Sequence, residues 1–432
     1  MKTPLTAQFT AAELQQKILP LRQRAEVENK WLKSRLDDLL PSLMQRENLD
    51  MWIVTSREYN EDPVILSLLP QPDMYARRRT ILVFHRKADG RVERLTISRY
   101  GFGDFYQTVW EPEKEEQLAC LARVVRAREP ESIGLNISDT FAFGDGLTHN
   151  DHDWITAALG EDYAAKVRSA ERLAVGWLEH RTAPELSAYS GIVSIGSAII
   201  AEAFSSRVIH PGITTTQDVV WWMRQKMLAL GVQAWFQPTV DLQGLGDPFP
   251  PVGKPAKNPR ILIQPGDMLH CDVGFYYLGL ATDQQRLAYV LKPGETDAPA
   301  GLKAGLAEGN RLQDIHLSAM LLGRSGNQVL EDALARAHAE DLDAMIYTHP
   351  IGVHGHAAGP IIGLWDQQGG VPGGGSYPLF DNTCYAIELN VKERVPEWDN
   401  QLVMFALEED SALQAGKMHW LDGRQTAFHL IG

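Results

Sequence analysis

The sequence predicts a two-domain protein, with an α/β domain over residues 1–170 and an α+β domain over residues 171–432. Three observations carry this. A chain of 432 residues suits two or three domains of roughly 100–200 residues each. Helical and strand-like segments alternate through the first part. The second part opens on long helical patterns and turns to strands from about residue 261.

The elements follow in order. Residues 11–47 carry one apolar helical face through Leu32, Leu36, Leu39, Leu40 and Leu43, with Pro20 and Pro41 expected to divide it. Asp50–Val54 reads as a buried strand. Arg79–His85 and Val92–Ile97 read as a hairpin across Lys87–Gly90. Helices are expected around 113–128 and 150–158, with a short strand at Ile133–Asn136 between them. In the second part, Pro184 suits the first turn of a helix running to about Phe204. Residues Thr214–Asp218 cap another, ended by Gly231, and further helices fall between 302 and 340. Trp221 and Trp222 read as packing groups, and Trp365 as a pocket or core residue.

Composition narrows the function. Hydrophobic residues make up 44% and charged residues 22%, so the chain folds rather than staying disordered. A net charge of −14 argues against nucleic acid and anionic membranes as partners, since both demand a basic footprint. No run approaches the roughly 18 consecutive apolar residues of a membrane span, and the first residues lack the apolar core of a secretory signal. Three scattered cysteines, Cys120, Cys271 and Cys384, make no disulfide framework. The expected setting is cytoplasmic.

The densest chemical signal lies between residues 266 and 289. Asp272 and Asp283 stand 11 residues apart in strand-like surroundings. Facing each other across a hairpin centred between Tyr277 and Leu278, they would place two carboxylates about 4.5–5.5 Å apart at Cβ. Two solvated acids on an exposed strand pair are the simpler alternative. Further along come His349, His354 and His356, then Glu388 in the apolar strand Cys384–Leu389, and Glu408 after the apolar run Leu402–Leu407. An acid in a buried strand is costly unless paired or bound to metal. Asp272, Asp283, Glu388 and Glu408 bring four negative charges, which two divalent cations cancel. Oxygen ligands with one imidazole suit manganese first, with cobalt, zinc or iron as alternatives. Two such ions can hold a bridging hydroxide and polarise a carbonyl, which is hydrolytic chemistry.

The order Asp, Asp, His, Glu, Glu resembles the family of methionine aminopeptidases, aminopeptidase P and prolidase, the M24 metallopeptidases. The resemblance covers about 175–432 and implies the pita-bread fold, while the preceding domain resembles the creatinase-type N-terminal domain of aminopeptidase P and prolidase. It implies that Asp272, Asp283, His356, Glu388 and Glu408 bind the metals, with Asp283 and Glu408 bridging and Glu388 also serving as general acid and base. The family shows a small residue, the ligand His, two variable residues, then Gly, and Gly355-His356-Ala357-Ala358-Gly359 fits that pattern better than the segment around His354. His354 or His349 is then a candidate catalytic group at the substrate carbonyl, with packing before Pro350 the alternative for His349. The implied substrate is a short peptide, cleaved as by an Xaa-Pro aminopeptidase or dipeptidase, and the implied assembly is a homodimer.

The match has departures. No His follows His356 by about seven residues, Ala406 stands where the family commonly has Arg, Leu389-Asn390 replaces Pro-Gly after Glu388, and an upstream His is not evident. These concern the substrate rather than the metals. Two other functions remain open on the same fold: a non-peptidase enzyme (a metal-dependent lyase or amidinohydrolase-like), or a catalytically silent binding protein. The glycine-rich segments Gln243–Pro248 and Pro372–Ser376 read as loops, and the second could shape a pocket entrance.

Overall fold

The computed structural model describes residue 13, residues 16–249 and residues 260–432. The chain divides into two compact units, Pro20–Thr182 and, with Leu19 and the described residues before it, Ala183–Gly432.

In the first unit α1 (Leu21–Ser34) runs through a π-helical turn (Arg35–Leu39) into α2 (Leu40–Arg46). Pro41 therefore does not divide the helix as expected. The wider turn ends with the Leu40 N–H bonded to Arg35 O, and Pro41 falls in the first turn of α2, where no N–H is needed. Six strands follow: β1 (Met51–Arg57), β2 (Arg79–Arg86), β3 (Val92–Thr96), β4 (Gln107–Thr108), β5 (Ile133–Leu135) and β6 (Val167–Ser169). They form one mixed sheet in the order β4-β3-β2-β1-β5-β6. The expected hairpin forms with His85 opposite Glu93. β1 is central and buried on both sides, which its apolar run requires. Helices α3 (Gln117–Arg126) and α4 (His149–Leu159) set Leu121, Val124, Val125, Ile155 and Leu159 against Ile53, Val83 and Leu135. On β1 and β2 Trp52 stacks on Phe84, with ring centres 5.2 Å apart. Helix α5 (Glu171–Glu179) ends the unit.

The second unit begins with α6 (Ala183–Ala203) and α7 (Thr216–Leu230). α6 alone among the described helices is long and apolar enough to cross a membrane, yet Leu186, Tyr189, Ile192, Val193, Ile199 and Ile200 are buried in this unit's core. α7 starts with the expected cap: Thr215 and Asp218 exchange hydrogen bonds as a capping box, and Gly231 closes it in the left-handed conformation. Its Trp221 is exposed rather than packed, because it lies on the face opposite Val220, Met223 and Met227. Trp365 is likewise largely exposed.

Among the described residues fourteen strands follow: β7 (Gln233–Ala234), β8 (Thr239–Gln243), β9 (Met268–Val273), β10 (Phe275–Tyr277), β11 (Leu280–Ala281), β12 (Gln284–Val290), β13 (Ala344–Ile346), β14 (His349–Ile351), β15 (Thr383–Ala386), β16 (Leu389–Val395), β17 (Gln401–Leu407), β18 (Asp410–Gln414), β19 (Lys417–Trp420) and β20 (His429–Ile431). They make four small sheets, β11-β10-β7, β20-β12-β9-β8, β13-β16-β17 and β14-β15-β18-β19. Helices α8 (Ala300–Ala319) and α9 (Gly326–Ala339) cover the sheet β13-β16-β17, burying Leu302, Leu306, Ile315 and Leu330 against Leu389, Val391, Phe405 and Leu407.

Several ribbons pass from one sheet into the next after a short break. β9 and β12 continue as β10 and β11, β13 continues as β14, and the pair β16–β17 continues as β15–β18. The hairpin β10–β11 closes at Leu278-Gly279, both with positive φ (52° and 68°), the geometry of a two-residue primed turn. Gly279→Ala puts a side chain in this left-handed conformation and should cost about 1 kcal/mol. A thermal midpoint a few degrees below wild type would bear this out, and an unchanged one would refute it.

Candidate metal centre

The register of the first ribbon places the aspartates. Asp272 lies opposite Gln285, and Tyr276 lies opposite Ala281. The turn is therefore centred one residue later than expected, between Leu278 and Gly279, which moves the pairing register by two residues. Asp283 is diagonal to Asp272 instead of directly opposite, but the shift keeps parity, so both carboxylates share a face. Gly274 marks the break after β9. A Cβ there would come within 2.2 Å of Trp235 Nε1 and 2.4 Å of Thr282 O, so only glycine lets the ribbon cross so closely.

The other acids and His349 also sit at breaks. Glu388 falls between β15 and β16, Glu408 between β17 and β18, and His349 directly after the break between β13 and β14. All five of these residues lie within two positions of a point where a strand leaves one sheet for another. Ligand atoms of Asp272, Asp283 and Glu408 lie within 4.8 Å of one another, as do those of His349, Glu388 and Glu408. A third such group is Asp283, His349 and His356. His349 Nε2 is 3.3 Å from Glu408 Oε1 and 3.6 Å from Asp283 Oδ2. His356 is more exposed; its ring stands edge-on to that of His349 at 4.6 Å and to that of Trp235 at 5.2 Å. His354 lies on the following turn, where its carbonyl accepts from Gly352 N–H, and belongs to none of the three groups. Cys271 and Cys384 are buried away from the cluster's face, and burial pushes the Cys271 thiol up to about 12.

The surroundings are polar and carry hydrogen bonds that hold the cluster's backbone and side chains. Asp410 accepts the Asp283 backbone N–H at 3.1 Å. Arg286 pairs with Glu409 and donates to the carbonyls of Glu408 and Gln285. Gln285 Nε2 donates to Glu388 Oε1 (2.6 Å) and Glu408 Oε2 (3.0 Å). Sequence reading missed Gln285, Arg286 and Asp410, although three consecutive polar residues, Gln284-Gln285-Arg286, opening an otherwise apolar strand were a usable signal.

Electrostatically the cluster is deficient in positive charge. Burial first, and then Glu408, push the carboxyls of Asp272, Asp283 and Glu388 well above the usual range. His349 is moved up to about 9: burial opposes its charge, but Glu408 and Glu388 outweigh it. His356 is pushed down to about 4 by burial and by the charge of His349. The residues fit metal ions on one structural test. Asp272 Oδ1, Asp283 Oδ1, Glu408 Oε1 and His349 Nε2 are all buried without a hydrogen-bond partner, a costly arrangement unless a cation completes it.

The sequence profile of Metallopeptidase family M24 matches residues 192–415, half of the chain, and the chain belongs to that family. A comparison with curated protein sequences finds no match. Among solved structures, X-Pro aminopeptidase from Thermotoga maritima MSB8 is similar at TM-score 0.63 and 16% identity, over 89% of this chain and 99% of that one. Xaa-Pro dipeptidase from Bacillus anthracis aligns at 0.61 and 15%, over 94% and 100%. Prolidase from Pyrococcus furiosus aligns at 0.56 and 12%, over 89% and 99%. The fold is thus the pita-bread fold preceded by an N-terminal α/β domain.

Raised carboxyl and imidazole pKa values mean that the metal-free folded state binds more protons than the unfolded chain. Its stability then falls as pH rises above the ordinary carboxyl values of about 4. Metal replaces those protons. The gap in thermal midpoint between manganese-loaded and chelator-treated protein should therefore widen from about pH 5 to about pH 8. A gap that stays constant would contradict the assignment.

Proposed function

We propose that the protein is a dinuclear metallopeptidase that hydrolyses short peptides, of the Xaa-Pro aminopeptidase or dipeptidase type. The observation that carries this reading is the convergence of four buried donor atoms without hydrogen bonds, from Asp272, Asp283, His349 and Glu408, with Glu388 beside them.

The proposal takes His349, rather than His356, as the imidazole ligand. Its Nε2 faces Glu408 and Asp283, and Thr348-His349-Pro350-Ile351-Gly352 has the family's His-x-x-Gly spacing as well. His356 then stands seven residues on, which is where the sequence comparison found a histidine lacking. Asp272, Asp283, His349, Glu388 and Glu408 would hold two divalent ions, manganese first on donor chemistry. Bound there, such ions activate water and polarise a carbonyl. The chain's own residues do the rest. Glu388, beside the other carboxylates at the break between β15 and β16, takes the proton of the attacking water and returns it to the leaving amine. His356, kept neutral by burial beside His349, offers an N–H to the substrate carbonyl oxygen as negative charge develops there. His354 is left as an outlying candidate. A homodimer and a cytoplasmic setting belong to the same proposal, the first resting on the resemblance and the second on the acidic, disulfide-free chain.

One observation favours a second reading of the substrate. Ala406 and Asn390, two of the departures from the family pattern, lie directly opposite each other on β16 and β17, and Asn390 Nδ2 donates to Tyr347 OH. Where the family places a cationic Arg, this chain has a neutral pair. That supports a substrate without the carboxylate such an Arg would meet, a longer peptide more than a dipeptide.

Manganese-loaded protein should cleave Xaa-Pro tripeptides, stop when chelated and recover when manganese is returned. Failure to cleave any short peptide at full metal occupancy would favour the lyase or binding-protein readings. His349→Ala should lose metal and activity together. His356→Ala should keep its metal and lose roughly 10²–10³ in kcat, the usual loss for one oxyanion donor. The reverse pattern would return the ligand role to His356.

A further inference from the structure

Gln285 is the residue opposite Asp272 in the ribbon, buried at 3% exposure, and its amide is fully committed. Both hydrogens of Nε2 are used, one on Glu388 Oε1 at 2.6 Å and one on Glu408 Oε2 at 3.0 Å. At its other end Oε1 lies 2.8 Å from His270 Nε2. Since the amide nitrogen must donate to the carboxylates, Oε1 must accept, and His270 therefore carries its proton on Nε2. His270 precedes Asp272 by two on β9, so it stands on the same face and reaches Gln285 across the strand pair.

We infer that Gln285, oriented by His270, is a positioning residue of the metal centre: its amide ties the two glutamates together and sets which of their oxygens face the ions. This rests on the metallopeptidase reading above and extends it to residues outside the ligand set. With Oε2 of Glu408 held by the amide, Oε1 is left without a hydrogen bond and turned toward His349, 3.3 Å from its Nε2. A lysine or arginine in this place would also hold two carboxylates, but its charge would compete with the cations. A neutral donor lowers the repulsion between the glutamates and leaves their charge available. A flipped amide would turn its oxygen on two carboxylates, and the His270 N–H opposes that flip.

The test is manganese binding to the full chain, measured by calorimetric titration, together with the visible spectrum of the cobalt-substituted protein and a thermal midpoint for each variant. Gln285→Met keeps length and removes both donors. It should weaken at least one manganese by 10–100-fold and shift the cobalt bands. His270→Ala should act in the same direction with a smaller factor, and the double variant should equal Gln285→Met, since both act through one amide. Unchanged affinity and spectrum in Gln285→Met, or independent, multiplying effects of the two changes, would overturn the inference. If Gln285→Met does not fold, His270→Ala decides alone, with wild-type affinity and bands counting against it. A wild-type chain that takes up no manganese would overturn the metallopeptidase reading along with this one, which is distinct from a metal-binding wild type with an indifferent variant.

Discussion

The structure turns on one electrostatic constraint. Asp272, Asp283, Glu388 and Glu408 share a buried space with a single facing imidazole that meets two of them, His349. At an effective dielectric of about 20, two like charges 4 Å apart repel by about 4 kcal/mol. Several such pairs, all ionised, would rival the whole stability of a domain, about 5–15 kcal/mol. Protons relieve the repulsion at low pH, and divalent cations relieve it without asking the carboxylates to give up their charge.

The fold answers by placing all five residues at strand breaks or within two positions of one. Within a continuous strand alternate side chains face one way, so a single strand supplies neighbours along a line. A cluster around a point needs side chains from several directions. Strand pairs that leave one sheet for another meet this need, because each break brings side chains from differently directed strands toward one point. Asp410 and the Arg286–Glu409 pair then secure the breaks from behind, through the Asp283 N–H and the Glu408 carbonyl. Gln285 works from within the ribbon.

Much of this was legible in the sequence. The hairpin at β2–β3, the capping box at Thr215 and the helix from Pro184 rest on local chemistry, and each forms where that chemistry says. The acids stood out because charged residues in apolar strands demand an explanation. What escaped depended on geometry beyond local pattern. Pro41 is absorbed by a π-helical turn that propensity does not announce. Pairing Asp272 with Asp283 misplaces the turn of the ribbon by one residue, because the left-handed Leu278-Gly279 turn sets the register. Of three histidines in eight residues, both His349 and His356 are followed three positions later by Gly, so only three-dimensional placement separates their environments. Gln285 has no charge to draw the eye, and its importance comes from what stands across the strand pair.

The central claim is that the carboxylates and one histidine enclose two metal ions. Anomalous diffraction at the manganese edge, from crystals grown with that metal, tests it most directly. The account predicts two peaks roughly 3.5–4 Å apart, between Asp272, Asp283, Glu388 and Glu408, with His349 completing the ligands of one. No peak within the cluster at saturating manganese, or a single peak held by His356 in place of His349, would contradict it.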